Sequence, residues 1–293
     1  MLKDGGGEDV GHVVEGFFTP APGLKLHYVD IGPRGGKPII FIHGLTTNVA
    51  FYKPLLHALA VPWRVIGLDL RGHGLSSKPQ HGYTFRSFSR DIVALTRHLD
   101  IDSYALVGHC LGALVAFYHA AHEPSAVRAL VAIEVPSPVI RTSLKHISCR
   151  TCIALANALF KLGSPGRESA ILSALSSFLP RGMRRALRRW LGSNIVGGRR
   201  IGLSWAFSWH AVAEVMRELL RLDLRAMLKA VRCPVLLIRG SRGLFWASDA
   251  EEIVDALPRA RLITFHRAGH VIFTVALAPL SRAMRHFLEG ALG

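Results

Sequence analysis

One thiol in this 293-residue chain stands where it could attack a carbonyl carbon. Val107-Gly108-His109-Cys110-Leu111-Gly112-Ala113 joins a short apolar run to an apolar helical stretch, with glycine two residues before and two after Cys110. A residue in a strained turn from strand to helix needs small neighbours, because adjacent backbone passes close to it. The helix expected from Leu111 onward would lay the positive end of its dipole at Cys110 and favour a thiolate. A neighbouring imidazole would do the same, and a thiolate is a good nucleophile in acyl transfer. Such chemistry also needs a base and a group to orient it. Fifteen histidines are present, so composition alone selects none. Glu134 closes the run Leu130-Val-Ala-Ile-Glu134, a costly place for a carboxylate unless a partner meets it.

The positioning elements follow from hydropathy. Gly23–Asp30 alternates apolar and polar residues, as a half-buried strand does. Pro38–Ile42, Arg64–Asp69, Tyr104–Val107, Leu130–Glu134, Pro234–Ile238 and Arg261–Phe265 are short apolar runs, as in strands covered on both faces. Helical stretches fall between them, at about 49–60, 85–99, 111–122, 249–257 and 277–290. This alternation predicts an α/β fold, a doubly wound and mostly parallel sheet. It stops between Glu134 and Pro234, an interval that reads as all-helical. The expected organisation is therefore a core of residues 1–136 and 229–293 with a helical cap, 137–228, inserted in it.

The ten N-terminal residues contain no apolar segment like that of a secretory signal. The longest apolar stretch, 104–121, is broken by Gly108, His109 and Gly112, and a membrane span would need about 20 uninterrupted apolar residues. A soluble, cytoplasmic protein with free thiols is expected. Cys149-Arg-Thr-Cys152 is an isolated pair with no second pair or histidine cluster at ligand spacing, so neither a metal site nor an organic cofactor is implied. The formal charge of +16 is concentrated: residues 138–232 hold 17 Lys or Arg against 4 Asp or Glu. Arg181–Leu191 reads as an amphipathic helix with Arg184, Arg185, Arg188 and Arg189 off its apolar face. It suits a solvated surface, a membrane surface or an anionic carrier such as coenzyme A; no nucleic-acid motif accompanies it.

Four motifs, in order, resemble the α/β-hydrolase superfamily over roughly 24–136 and 232–290. Phe41-Ile-His43-Gly44-Leu45 is similar to its oxyanion loop, and Asp69-Leu-Arg-Gly-His-Gly-Leu-Ser76 to its D-x-R-G-x-G-x-S turn. Gly108–Gly112 is similar to its nucleophile elbow, with cysteine replacing the usual serine, and Ala268-Gly269-His270 to its catalytic histidine loop. The resemblance implies Cys110 as nucleophile, His270 as base and then acid, and backbone N–H groups of Leu45 and Leu111 as the oxyanion hole. His43, Gly44 and His109 would line the substrate site, with the two histidines in structural or lining roles. Arg71 would fix loops by hydrogen bonds. The family's acid usually follows the Pro234–Arg239 strand, near Gly243, where no carboxylate stands. Glu134, at the position some relatives use, Asp249, which also reads as the start of a helix, or no acid at all remain open.

These residues together imply hydrolysis of an ester or thioester on a small-molecule acyl substrate, through an S-acyl–Cys110 intermediate. Transfer to a non-water acceptor, as in polyester synthases, is the nearest alternative. Lyase chemistry in the same pocket and a non-catalytic binding protein on the same scaffold are the others.

Overall fold

The computed structural model describes residues 12–136, 189, 193, 195–198, 202–243 and 247–292. Its strands are β1 (Val13–Ala21), β2 (Leu24–Ile31), β3 (Pro38–Ile42), β4 (Arg64–Leu68), β5 (Tyr104–His109), β6 (Val127–Ile133), β7 (Ile195–Gly198), β8 (Gly202–Trp205), β9 (Val235–Arg242) and β10 (Ala260–Gly269). The helices among these residues are α1 (Val49–Leu59), α2 (Phe85–His98), α3 (Leu111–His122), α4 (Trp209–Arg221), α5 (Leu224–Ala230), α6 (Ala247–Ala256) and α7 (Phe273–Leu292), the last kinked at Ala276.

Eight strands form one sheet in the order β1-β2-β4-β3-β5-β6-β9-β10. The pairs β1–β2 and β2–β4 are antiparallel, and every later pair is parallel. Because side chains alternate across a strand, β3 feeds two cores. Ile40 and Ile42 pack with Phe88 of α2 and Leu114 of α3. Ile39 and Phe41 pack on the other face with Leu56 of α1 and Met284 of α7. The doubly wound sheet expected from the alternation is the one observed. Its parallel strands all end on the same edge, and the candidate residues gather there.

Three expectations are corrected. A strand precedes the first one expected: β1 pairs with β2 along the sheet edge. With β1 on one side and β4 on the other, β2 is an inner strand, buried at six of its eight positions and not half-buried. The interval between Glu134 and Pro234 is not all-helical, because β7 and β8 pair as antiparallel strands. Ile195-Val196 provide β-branched residues, and Gly198 of β7 stands opposite Gly202 of β8. Asp249 lies in the first turn of α6, in keeping with its reading as the start of a helix. The Cys149–Cys152 pair and the basic 181–191 stretch, Arg189 apart, lie outside the described residues. No helix among those described is long and apolar enough to cross a membrane.

Candidate active site

Cys110 sits between the end of β5 and the start of α3, at φ 53° and ψ −117°. A non-glycine residue with positive φ is held there only when its surroundings over-determine it. They do so by close packing of backbone. A Cβ on Gly108 would meet the Gly112 carbonyl oxygen at 2.3 Å, and one on Gly112 would meet the Ile42 carbonyl oxygen at 2.1 Å. The Cys110 N–H donates to the Ile133 carbonyl at 2.9 Å, and the Glu134 N–H donates to the Ile238 carbonyl at 2.8 Å. Two successive rungs thus tie the ends of β5, β6 and β9 together. Glu134, the first residue past β6, also has positive φ, 52°.

The Glu134 side chain is 1% exposed, and such burial requires partners for the carboxylate. Oε1 accepts the Gly240 N–H at 2.6 Å, and Oε2 lies 3.1 Å from His270 Nδ1. A Cβ at position 243 would come within 2.3 Å of Oε2 and 2.4 Å of Oε1. The glycine where an acid was missing is therefore the space that Glu134 fills. His270 follows β10, with its side chain 22% exposed. With Nδ1 facing Glu134, its other ring nitrogen serves Cys110, whose side chain hydrogen-bonds to the ring. Burial works against the charged imidazole. The charge and hydrogen bond of Cys110, joined by those of Glu134, outweigh it and lift His270 to about 9. The protonated ring is then the prevailing form at neutral pH, beside the Cys110 side chain.

The oxyanion loop is fixed from several sides. His43 accepts the Leu70 N–H at Nε2, 3.0 Å, and donates from Nδ1 to the Gly44 carbonyl, 2.8 Å. The Thr47 hydroxyl donates to that same carbonyl at 2.6 Å. Because a peptide unit is planar, holding the Gly44 C=O also fixes the direction of the Leu45 N–H. A Cβ on Gly44 would stand 3.3 Å from Cys110 Cβ, so this loop runs past the thiol. Leu111 is the first residue of α3, and the helix itself offers no acceptor for an N–H in its first turn.

The structure brings together Cys110, His270, Glu134 and Gly44 at the ends of β3, β5, β6 and β10; Leu45 and Leu111 directly follow Gly44 and Cys110 in the chain. It places Asp249 on α6, and the carboxylate on His270 Nδ1 is Glu134. Of the structural or lining roles expected for His43 and His109, loop-fixing is the one their hydrogen bonds describe. Both are buried, and each has both ring nitrogens hydrogen-bonded within the protein. Burial also holds both in the neutral form. Arg71 pairs with Asp91 through two hydrogen bonds of 2.7 and 2.6 Å and donates to the Gly82 carbonyl. Two residues that motif spacing does not single out, Tyr52 and Thr47, contribute buried hydroxyls to this network. Among the described residues, no group of three or more His, Cys, Asp or Glu side chains could hold a metal ion.

Comparison with known proteins agrees with this fold. Residues 37–150 match a family model described as alpha/beta hydrolase fold. The chain is 30% identical to a 2-(acetamidomethylene)succinate hydrolase of Mesorhizobium japonicum over 263 residues, 89% of this chain and 91% of that one. Among solved structures, an E-2-(acetamidomethylene)succinate hydrolase superposes with a TM-score of 0.79 at 28% identity, covering 95% of this chain and 100% of the other. The thioesterase domain from the curacin biosynthetic pathway shares the fold, with a TM-score of 0.72 at 20% identity over 94% of this chain and 99% of that one.

Proposed function

Because this chain belongs to the α/β-hydrolase family, we propose that it cleaves an ester or thioester through a covalent S-acyl intermediate on Cys110. The observation that carries this reading is the continuous line from Glu134 through the His270 ring to Cys110, held at the edge where the parallel strands end. In open α/β sheets ligands bind at that edge.

The Cys110 sulfur attacks the carbonyl carbon, and the π pair moves onto the oxygen. The N–H groups of Leu45 and Leu111 meet the developing negative charge. As the tetrahedral adduct collapses, the bond to the leaving oxygen or sulfur breaks. The protonated His270 gives that atom its proton. Neutral His270 then takes a proton from water as the water oxygen adds to the S-acyl carbon. Collapse of this second adduct releases the carboxylic acid and returns the thiolate facing an imidazolium. Glu134 keeps Nδ1 protonated and aimed at its carboxylate, so the other nitrogen alone exchanges protons with Cys110 and substrate. The hydrolases to which the chain is similar support water as the final acceptor. The cationic excess of residues 138–232 favours an anionic acyl donor.

The test is turnover of p-nitrophenyl esters and acyl-coenzyme A thioesters by wild type and by Cys110→Ala. Intact-protein mass spectrometry of the quenched wild-type reaction accompanies it. The expected result is turnover only in wild type, with one acyl group added to Cys110. Equal turnover in Cys110→Ala would overturn the nucleophile. Acyl transfer to an added alcohol or amine faster than hydrolysis would make the chain an acyltransferase.

A further inference from the structure

Beneath Cys110 runs a buried hydrogen-bonded chain that joins the oxyanion loop to the histidine loop. The Gly44 N–H meets the Tyr52 hydroxyl at 3.3 Å, that hydroxyl lies 2.8 Å from His109 Nδ1, and His109 Nε2 lies 3.0 Å from the His270 carbonyl oxygen. The directions are determined by chemistry. A carbonyl oxygen only accepts, so His109 Nε2 carries the hydrogen. Burial first, and then the adjacent charge of His270, depress His109 to about 3 and keep its ring neutral. Nδ1 is therefore a bare acceptor, and Tyr52 donates to it. The Tyr52 oxygen in turn accepts from Gly44. The His109 and His270 rings also lie 4.6 Å apart, centroid to centroid. Tyr52 is wedged between Phe41, Phe51 and Phe273, so its hydroxyl has little freedom.

We propose that Tyr52 and His109 are positioning residues, which set the oxyanion loop at Gly44 and the His270 backbone in register with each other across Cys110. The His270 carbonyl, which only accepts, holds His109 as the Nε2–H tautomer, and the Tyr52 hydroxyl, donating to the bare Nδ1, anchors the ring from its other side. Without that hydroxyl, Nδ1 is left buried without a donor and the ring that tethers the His270 loop loses one of its two anchors. The proposal rests on the Cys110–His270 pair described above, though not on which acyl compound that pair cleaves.

Three variants test it: Tyr52→Phe, His109→Gln and His109→Leu. Glutamine can accept from Tyr52 and donate to the His270 carbonyl, whereas leucine can do neither. Three readouts apply: the 15N NMR tautomer signature of His109, the rate of Cys110 alkylation by iodoacetamide at pH 7, and kcat with KM on p-nitrophenyl esters. In wild type His109 is the Nε2–H tautomer throughout pH 5–8. In Tyr52→Phe the Nε2–H tautomer is kept, and alkylation and kcat are each expected to fall about tenfold with KM unchanged, the effect of one lost positioning hydrogen bond. His109→Gln restores most of the rate, and His109→Leu does not.

A wild-type His109 in the Nδ1–H tautomer, or an unchanged alkylation rate in Tyr52→Phe, would overturn the proposal, as would equal rates for the glutamine and leucine variants. Should His109→Leu fail to fold, Tyr52→Phe still decides. Should wild type cleave no ester, the hydrolytic reading fails, while the tautomer and alkylation measurements still decide this one.

Discussion

The Glu134 carboxylate occupies the volume that any side chain at Gly243 would need, with a Cβ there falling 2.3 Å from Oε2. A carboxylate that reaches His270 from β6 and a side chain on the loop after β9 are mutually exclusive. The missing acid and the buried glutamate are two aspects of one arrangement. Glu134→Gln should lower kcat on the order of a thousandfold while leaving KM nearly unchanged, the loss expected when the group that orients a catalytic imidazole is neutralised. Gly243→Ala should lower kcat as well, by displacing the same carboxylate. Glu134→Gly combined with Gly243→Asp should recover part of the loss. Steady-state kinetics of the four proteins checks all three statements.

The raised pKa of His270 has a kinetic consequence. In the proposed mechanism the imidazolium protonates the leaving group, so kcat/KM should fall on the alkaline side as pH passes about 9. The sign for stability is the same. A folded-state pKa raised from 6.5 to about 9 contributes stability that is complete below pH 6.5 and disappears as pH rises through about 9. Cys110 supplies the leading contributions that raise it. NMR titration of Cys110→Ala should therefore show His270 titrating at lower pH than in wild type, and an unmoved titration would remove Cys110 as the cause.

The strain at Cys110 predicts an opposition between stability and activity. With φ at 53°, the backbone suits glycine better than any other residue. Cys110→Gly and Cys110→Ala both lack the thiol and should both be inactive. The glycine variant should nevertheless unfold at the higher denaturant concentration, by about 1 kcal/mol relative to alanine, because only alanine keeps the strain. Equal midpoints would mean that the turn costs nothing.

Arg71 and Asp91 form a paired charge with side-chain exposures of 14% and 1%. Arg71→Ala leaves the carboxylate buried alone and should cost about 3 kcal/mol in urea unfolding. Arg71→Lys should recover little, since lysine cannot reproduce two parallel N–H donors and a third to the Gly82 carbonyl.

Much of the site was legible in the sequence because its groups sit where buried strands end. His43-Gly44, Cys110 and His270 each follow an apolar run, and the glycines at 108 and 112 announce a turn too tight for side chains. Glu134 was legible for an energetic reason, since a carboxylate closing an apolar strand demands a partner. What stayed hidden depends on contacts between distant residues. Nothing in the spacing of Tyr52 and His109 indicates that they meet. The side chains alone suggested that His43 and His109 line the substrate site. Only their hydrogen bonds show that both ring nitrogens are already committed. The strand β1 escaped notice because its mostly exposed residues lack the apolar run that marks an inner strand. The paired strands β7 and β8 are four residues each, too short for periodicity to separate from a helical interval.

The backbone rungs from Cys110 to Ile133 and from Glu134 to Ile238 divide the chain in a useful way. Nucleophile and acid lie within a single stretch of sequence that is complete before the interval 137–234 begins. Whatever that interval inserts, and however it varies in length, it does not come between the two groups. The return strand β9 needs to contribute only a backbone N–H at Gly240 and an empty place at Gly243. Substrate choice can then be rewritten in the intervening segment and in the loop after β9 while the proton path stays as it is, a division of labour that makes this chain a favourable scaffold for exchanging one specificity for another.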